Sequence, residues 1–306
     1  MSHGQYKNEC LLYAFQFGSL ATTRYSFSGH ESFHCRLLWL KKGYDFLNNG
    51  HAFNSPDAVV HLGVGKNMVS AIRYWLKVFG LTENDVLTEL AHLVFTDNAG
   101  FDRFLEDTNT LWLLHYNLTN YGIASIYRLL FLEYQREHKE FDRETLQQCI
   151  KRKCSVPEQK NVYNENTVKK DVNVLLQTYV APTSLKTLED FSALLIDLNL
   201  IQSKSTENKG ITYNFNEISS DAVAPEIILY CLIDIKGEDN TVSFDKLKEL
   251  SLIFCMPLSE LIEAIKRIEA KGRYGIHYTD NSGIKNVQFT RTLNKYDVLK
   301  DYYLAI

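Results

Sequence analysis

The sequence predicts a mainly α protein with short β-hairpins, organised as tandem winged helix-turn-helix modules. Three observations lead there. Apolar residues recur at helical spacing over long stretches, as in Phe33, Leu37, Leu40, Tyr44 and Leu47. Only five prolines and fifteen glycines punctuate the 306 residues, too few for a many-turned β-sandwich. The order helix, helix, helix, hairpin also recurs without close sequence similarity, at a period too irregular for a solenoid. The chain therefore divides into an N-terminal winged helix with a docking tail (1–120), a helical middle module with a plausible hairpin (121–220) and a C-terminal winged helix (221–306).

The stretch 27–80 organises the first module. Ser28-Gly29-His30-Glu31 fits a capping box that starts a helix ending at Asn48-Asn49-Gly50. Ser55-Pro56-Asp57 opens a second helix of about two turns, with Pro at the first helical position, and Gly63-Val64-Gly65 stops it. A third helix runs from Lys66 to Phe79, and Gly80 takes the left-handed C-terminal position. Its inner face is Met68, Val69, Ile72, Leu76 and Phe79; its outer face is Lys66, Asn67, Ser70, Arg73, Tyr74 and Lys77. That outer face carries three cations and no acid. These are the parts of a helix-turn-helix. Lys66 and Lys77 suit phosphate oxygens, and Asn67, Ser70 and Arg73 suit base edges, because bases need forked or amide partners. The bland alternative is a solvated helix face. Beyond it, 87–95 and 110–118 read as strand-like or buried runs bracketing an acidic loop, 96–109, in the place of a wing.

The motifs Phe27-Ser-Gly-His-Glu-Ser-Phe33, Leu62-Gly-Val-Gly-Lys-Asn-Met-Val69 and Phe104-Leu-Glu-Asp-Thr-Asn-Thr-Leu-Trp-Leu-Leu-His115 resemble a bacterial family of unknown function. Its genes tend to lie beside DNA phosphorothioation (Dnd-type) and related phage-defence genes, including sulfurtransferases of the PAPS-reductase type. The likeness is close over 27–120 and loose afterwards. It implies a defence setting and supplies no catalytic residue.

Further along, Ile123, Ile126, Tyr127, Leu130 and Tyr134 mark a connecting helix, and another ends at Lys151-Arg152-Lys153. Residues 155–166 read as a loop, with Asn166 capping a helix from Thr167 to Tyr179; 185–200 reads as a helix, and 211–215 as a strand of a hairpin. Residues 143–170 hold seven Lys/Arg and three acids, a second basic patch at Lys151, Arg152, Lys153, Lys169 and Lys170. After a boundary at 217–221 come helices at 225–235, 243–250 and 257–271, then a hairpin over 274–290 turning at 280–283. The third of these helices exposes Glu260, Glu263 and Glu269 beside Lys266 and Arg267, a poor match for phosphate.

Composition excludes several classes. Apolar and charged fractions of 45% and 23% suit a soluble globular chain, not a disordered one. The net charge of −4 gives no global pull towards nucleic acid, but its distribution is uneven. Residues 1–80 hold eight Lys/Arg against four acids, and 81–140 hold four against ten. The six cysteines form no CxxC, the pattern of reduced thiols in a cytoplasmic protein. The uncharged run 11–23 is too short to span a bilayer and reads as a tail docked on the first module.

Catalytic constellations are weak. His30 and His34 share one predicted helix, near Cys35, His51 and His61, but no second ligand pair completes a metal site. Gly63-Val-Gly-Lys-Asn67 lacks the Ser/Thr and the preceding strand of a phosphate loop. Asp97, Asp102, Glu106 and Asp107 raise a metal-dependent nuclease as the alternative, opposed by the missing lysine and a loop location. His92 and His115 read as structural, Trp112 as core. Cys154, beside three cations, is a candidate for a lowered thiol pKa. The reading favoured is an accessory protein, without cofactor or metal, that binds double-stranded DNA through 57–79 and positions a sulfurtransferase or ATPase on it. A pure protein-interaction scaffold is the remaining option.

Overall fold

The helix Thr108–Asn120 sets the plan of the molecule, because every residue from Thr110 to Thr119 is buried. A helix buried on all sides must be surrounded, and elements from the whole chain surround it. The computed structural model describes residues 24–97, 99–182, 193–206, 210–281 and 284–305. The tail 11–23 lies outside them. The described residues are mainly helical, with three small antiparallel sheets among them.

The first unit comprises α1 (Trp39–Asn48), α2 (Ala58–Leu62), α3 (Lys66–Val78) and a hairpin of β1 (Thr82–Glu83) and β2 (Val86–Leu87). Leu40 and Tyr44 of α1 are buried as their spacing predicts. Gly43 lets α1 approach α3, since a Cβ there would press on Ile72 and Leu76. Gly63 ends α2 at φ 61°, and Gly80 follows α3 at φ 72°, the left-handed positions where glycine lacks a Cβ clash.

The capping box at Ser28 does not form. Ser28, Glu31 and Ser32 have φ of 72°, 49° and 66°, so the segment is a chain of turns and the helix starts at Trp39, well after the capping box would place it. The Ser28 amide donates instead to Asp171 Oδ2 at 2.9 Å, a partner far away in sequence. Leu37 lies outside the helix and is exposed. The expected wing is likewise replaced. Residues 87–95 are mostly α4 (Glu89–Phe95), capped by the Thr88 hydroxyl accepting from the Ala91 amide, and 110–118 lie within α5 (Thr108–Asn120). The hairpin is the shorter one at 82–87, turning on Asn84 and Asp85 at φ 50° and 63°; two residues with positive φ match the twist of a tight hairpin.

The middle and C-terminal units share one plan. The middle begins with a helical rod, α6, made of Ser125–Arg128, a π-helical stretch Leu129–Tyr134 and Gln135–Glu137. It continues through β3 (Glu140–Phe141), α7 (Arg143–Lys153), α8 (Glu165–Tyr179), β4 (Ile201–Thr206) and β5 (Gly210–Phe215). The C-terminal unit runs α9 (Pro225–Lys236), β6 (Thr241–Ser243), α10 (Phe244–Ile253), α11 (Leu258–Ala270), β7 (Ile276–Asn281) and β8 (Ile284–Phe289), and α12 (Lys295–Ala305) closes the chain. In both sheets the last strand sits between the other two, in orders β3-β5-β4 and β6-β8-β7. Caps fix the helix starts: Asp142 and Thr145 form a reciprocal box on α7, and the Ser243 hydroxyl accepts from Lys246 on α10. Asn164, not Asn166, caps α8. Of the expected helix 185–200, the part before 193 lies outside the described residues, and the rest is a β-bridge at Ala193 and a 3₁₀ turn, Ile196–Leu198.

Side chains from α5 join the units. Tyr116 donates to Asp234 of α9 at 2.8 Å, and the Asn109 carbonyl oxygen accepts from the Ala224 amide at 2.7 Å. One apolar core therefore runs through all three units. Among the described residues no helix is long and apolar enough to cross a membrane, and the five described cysteines are free thiols.

Candidate nucleic-acid interface

The outer face of α3 is open. Lys66, Asn67, Ser70, Arg73 and Lys77 are all exposed, while Val69, Ile72, Trp75 and Leu76 on the opposite side are buried. Lys66 and Lys77 have no ion-pair partner among the described residues. The Ser70 hydroxyl bonds back to the Lys66 carbonyl at 3.4 Å. Arg73 differs. Its Nε donates to Asp85 Oδ1 at 2.8 Å, and its Nη2 donates to the other carboxylate oxygen, a forked pair across to the β1–β2 turn. Glu83 and Asp85 make this hairpin acidic, so the positive face is narrower than the sequence suggests.

Tyr74 is turned inward, not out. Its ring packs over Gly29 and lies edge-on to His30, and burial pushes its phenol pKa well up. His30 is itself buried and stacks on Trp75. Its Nδ1 accepts from the Ser32 amide at 3.1 Å, so Nε2 carries the proton that faces Asp171 Oδ1 at 3.1 Å. The back of α3 is thus anchored to α8 in the middle unit. Trp75 adds a bond from its indole N–H to the Phe33 carbonyl at 3.1 Å.

Residues 27–303 match the family described as "protein of unknown function (DUF4007)". The chain belongs to that family. It is also similar to two crystal structures of SspB, one with a bound magnesium ion. Their TM-scores are 0.77 and 0.75, each at 26% identity over 91% of this chain and 88% of SspB. No curated protein matches the sequence.

The second basic patch of this DUF4007 chain is spread over two helices. Lys151, Arg152, Lys169 and Lys170 are exposed. Lys153 is half-buried and pairs with Glu133 at 2.6 Å, which removes it from the patch. Cys154 beside it is buried, and desolvation pushes its thiol up, opposite to the activation its cationic neighbours suggest.

The acidic loop disperses into structural roles. Asp102 is buried and accepts from the amides of Glu106 and Asp107 at 2.8 and 3.2 Å. Asp107 caps α5 and accepts from the Tyr302 hydroxyl of α12 at 2.9 Å. Asp97 pairs with Arg103 at 2.6 Å. Among the described residues no three His, Cys, Asp or Glu side chains converge as metal ligands. His51 and His61 stack at 4.0 Å between ring centroids over a groove lined also by Leu38, Lys42 and Phe46. His34 and Cys35 precede α1 and share no helix with His30. His92 faces the Tyr44 hydroxyl at 3.1 Å.

Two residues that shape the interface went unread in the sequence. Asp85 was legible in principle, since Thr82-Glu-Asn-Asp-Val-Leu87 has the pattern of a two-residue hairpin. Asp171 carries no local signal; it is a single acid on the inner face of a helix.

Proposed function

We propose that this protein is a DNA-binding accessory component of a bacterial DNA-modification or phage-defence system of the phosphorothioation type, which positions partner enzymes on duplex DNA. The exposed lysine, amide and hydroxyl face of α3, backed by a buried aromatic anchor, carries the reading. The first unit then acts as a winged helix-turn-helix, with α2–α3 as its helix pair and 82–87 as a minimal wing. The repeated order of the middle and C-terminal units, each with its last strand central, supports the same name for them. Membership of DUF4007, the resemblance over 27–120 to a family found beside phosphorothioation genes, and the likeness to SspB support the setting. Lys66 and Lys77 are assigned to phosphates, Asn67 and Ser70 to the groove, and Arg73 to the groove once released from Asp85. The test is fluorescence anisotropy with a labelled duplex. Lys66→Ala/Lys77→Ala weakens binding and flattens the dependence of log K on log salt by roughly 1.8, two phosphate contacts at about 0.9 each. Binding indifferent to both lysines and to salt removes the reading.

The magnesium ion in one SspB structure favours keeping a second reading, a magnesium-dependent nuclease at 97–107. The acids present do not form a three-ligand group, so no step is assigned to them. Plasmid nicking in MgCl₂ decides the matter, with Asp97→Ala/Glu106→Ala as the comparison. Those two acids are exposed, whereas Asp102 and Asp107 hold the loop and α5. Nicking lost in that variant establishes the second reading; no nicking by the unaltered protein ends it.

A further inference from the structure

The third helices of the three units differ in what they leave available to a ligand. On α11 the charges are spent within the protein. Glu260 accepts from the Ser220 hydroxyl and amide, Arg267 pairs with Asp221, and Lys266 pairs with Glu263 at 3.0 Å. On α3 the one arginine is held by Asp85. On α8 the situation is reversed. Asn166, Lys169, Lys170, Asn173 and Gln177 are all exposed, and at about 100° per residue they fall on one stripe. The only acid on the exposed side of α8 is Glu165, in the first turn, where the helix dipole accounts for it. Neither Lys169 nor Lys170 has an ion-pair partner among the described residues.

A second feature flanks this stripe. Arg143 donates from Nε to the Asn173 side-chain oxygen at 3.3 Å, while its guanidinium lies 5.5 Å from the centroid of the Tyr213 ring in β5. That residue ties the β4–β5 hairpin beside the outer face of α8 and occupies the acceptor of Asn173, leaving its N–H groups to donate. Gln202, Ser203, Lys204 and Ser205 of β4 are exposed. Apart from the turn, that strand is polar, unblocked by acid, and Lys204 has no ion-pair partner among the described residues. Asp171, the acid that α8 does carry next to its lysines, points inward to His30 and the Ser28 amide. Buried, it is withdrawn from any ligand.

We propose that α8 and the β4–β5 hairpin form a second duplex-DNA-binding face, separate from α3. Lys169, Lys170 and Lys204 hold phosphates there, and Asn166, Asn173 and Gln177 face the groove. Amides alternating with unpaired lysines on one stripe suit a polymer that offers phosphate oxygens and base edges together, which is why a duplex is chosen over an acidic protein. The inference rests on the DNA-binding reading above but does not need α3.

The experiment is a salt titration of duplex binding by the full chain, with three double variants. Lys169→Ala/Lys170→Ala is expected to flatten the slope of log K against log salt by roughly 1.8. Lys169→Arg/Lys170→Arg keeps the slope, since the charge is kept. Lys66→Ala/Lys77→Ala reports on α3 alone. The lysines are exposed, so thermal melts of all three variants stay with the parent and folding does not cloud the result. If the parent binds and Lys169→Ala/Lys170→Ala matches it in affinity and slope, the second face is overturned while the α3 reading survives. If the parent shows no salt-dependent binding, both fall.

Discussion

His115 Nε2 lies 2.6 Å from the Ile253 carbonyl oxygen, while its Nδ1 lies 2.7 Å from the Tyr179 hydroxyl. A carbonyl only accepts, so Nε2 carries the hydrogen and the tyrosine donates to Nδ1. One fully buried imidazole on α5 thereby joins α8 and α10. The arrangement has no place for a second ring proton, and desolvation lowers the His115 pKa to about 4 from an ordinary value of 6.5. Unfolded chains take up that proton between about pH 6.5 and 4, whereas the folded protein does not. Stability present above pH 6.5 is therefore lost as the pH falls through this window, by about 3 kcal/mol from this group. Urea unfolding at successive pH values between 7 and 4 measures the loss, and His115→Gln removes its contribution to the slope.

The His30–Asp171 pair joins the first and middle units in a different way. Asp171 has His30 Nε2 3.1 Å from one oxygen and accepts the Ser28 amide on the other, with the His30 and Asp171 side chains out of solvent. Asp171→Ala leaves the buried His30 ring without its facing carboxylate and the Ser28 amide without its acceptor. The expected cost is about 3 kcal/mol, because removing one partner exposes the full desolvation penalty of the other. Chemical denaturation gives the value. Exchange of the Ser28 amide with deuterium should rise at the same time, and an unchanged rate would show that the turn segment is held by something else.

What the sequence made legible follows from where local and tertiary demands agree. The three helices and the hairpin of 225–289 read correctly, with only β6 missed, because caps, turns and apolar spacing point the same way: Pro225 at a helix start, Ser243 as a cap, Leu261, Ile265 and Ile268 inward. Residues 110–118 were misread because a segment buried on every side loses its periodicity, and a buried helix and a buried strand then look alike. Leu111 to Leu114 illustrates this, four consecutive apolar residues that are all buried in one helix. Residues 87–95 keep a one-sided helical pattern, Leu90, Ala91, Val94 and Phe95 inside and Glu89 and His92 outside, over only two turns. The turns at 28–32 were unreadable for another reason. The Ser28 amide is held by Asp171, and no rule of spacing links the two. For the interface, α3 and its exposed face were legible, while the inward turn of Tyr74 and the capture of Arg73 depend on Gly29 and Asp85.

Releasing Arg73 tests the cost of that capture. The pair with Asp85 is at the surface, with both side chains well exposed, so it contributes less than about 1 kcal/mol to folding. Asp85→Asn should leave the melting temperature nearly unchanged. It should also strengthen duplex binding about three- to tenfold and steepen the salt slope, because a carboxylate no longer opposes the polyanion and the freed guanidinium adds its charge in the groove. Anisotropy at two or more salt concentrations reads both quantities. Weaker binding in Asp85→Asn would mean that the hairpin positions Arg73 for contact rather than restraining it.

Gly29 is the position where sequence, packing and the interface meet most tightly. Its φ of 104° is one that L side chains rarely adopt, and a Cβ there would overlap the ring of Tyr74. Gly29→Ala thus adds backbone strain and displaces an aromatic side chain that braces α3 from behind. The expected loss of stability is about 2–3 kcal/mol, the sum of a strained φ and an overpacked contact. Tyr74→Ala in the same background removes the clash but not the strain, so the double variant should lose less than the two single costs added together. A double-mutant cycle by thermal or urea unfolding measures that coupling. Additive losses would mean that Gly29 and Tyr74 act independently, and that the turn before α1 does not brace α3.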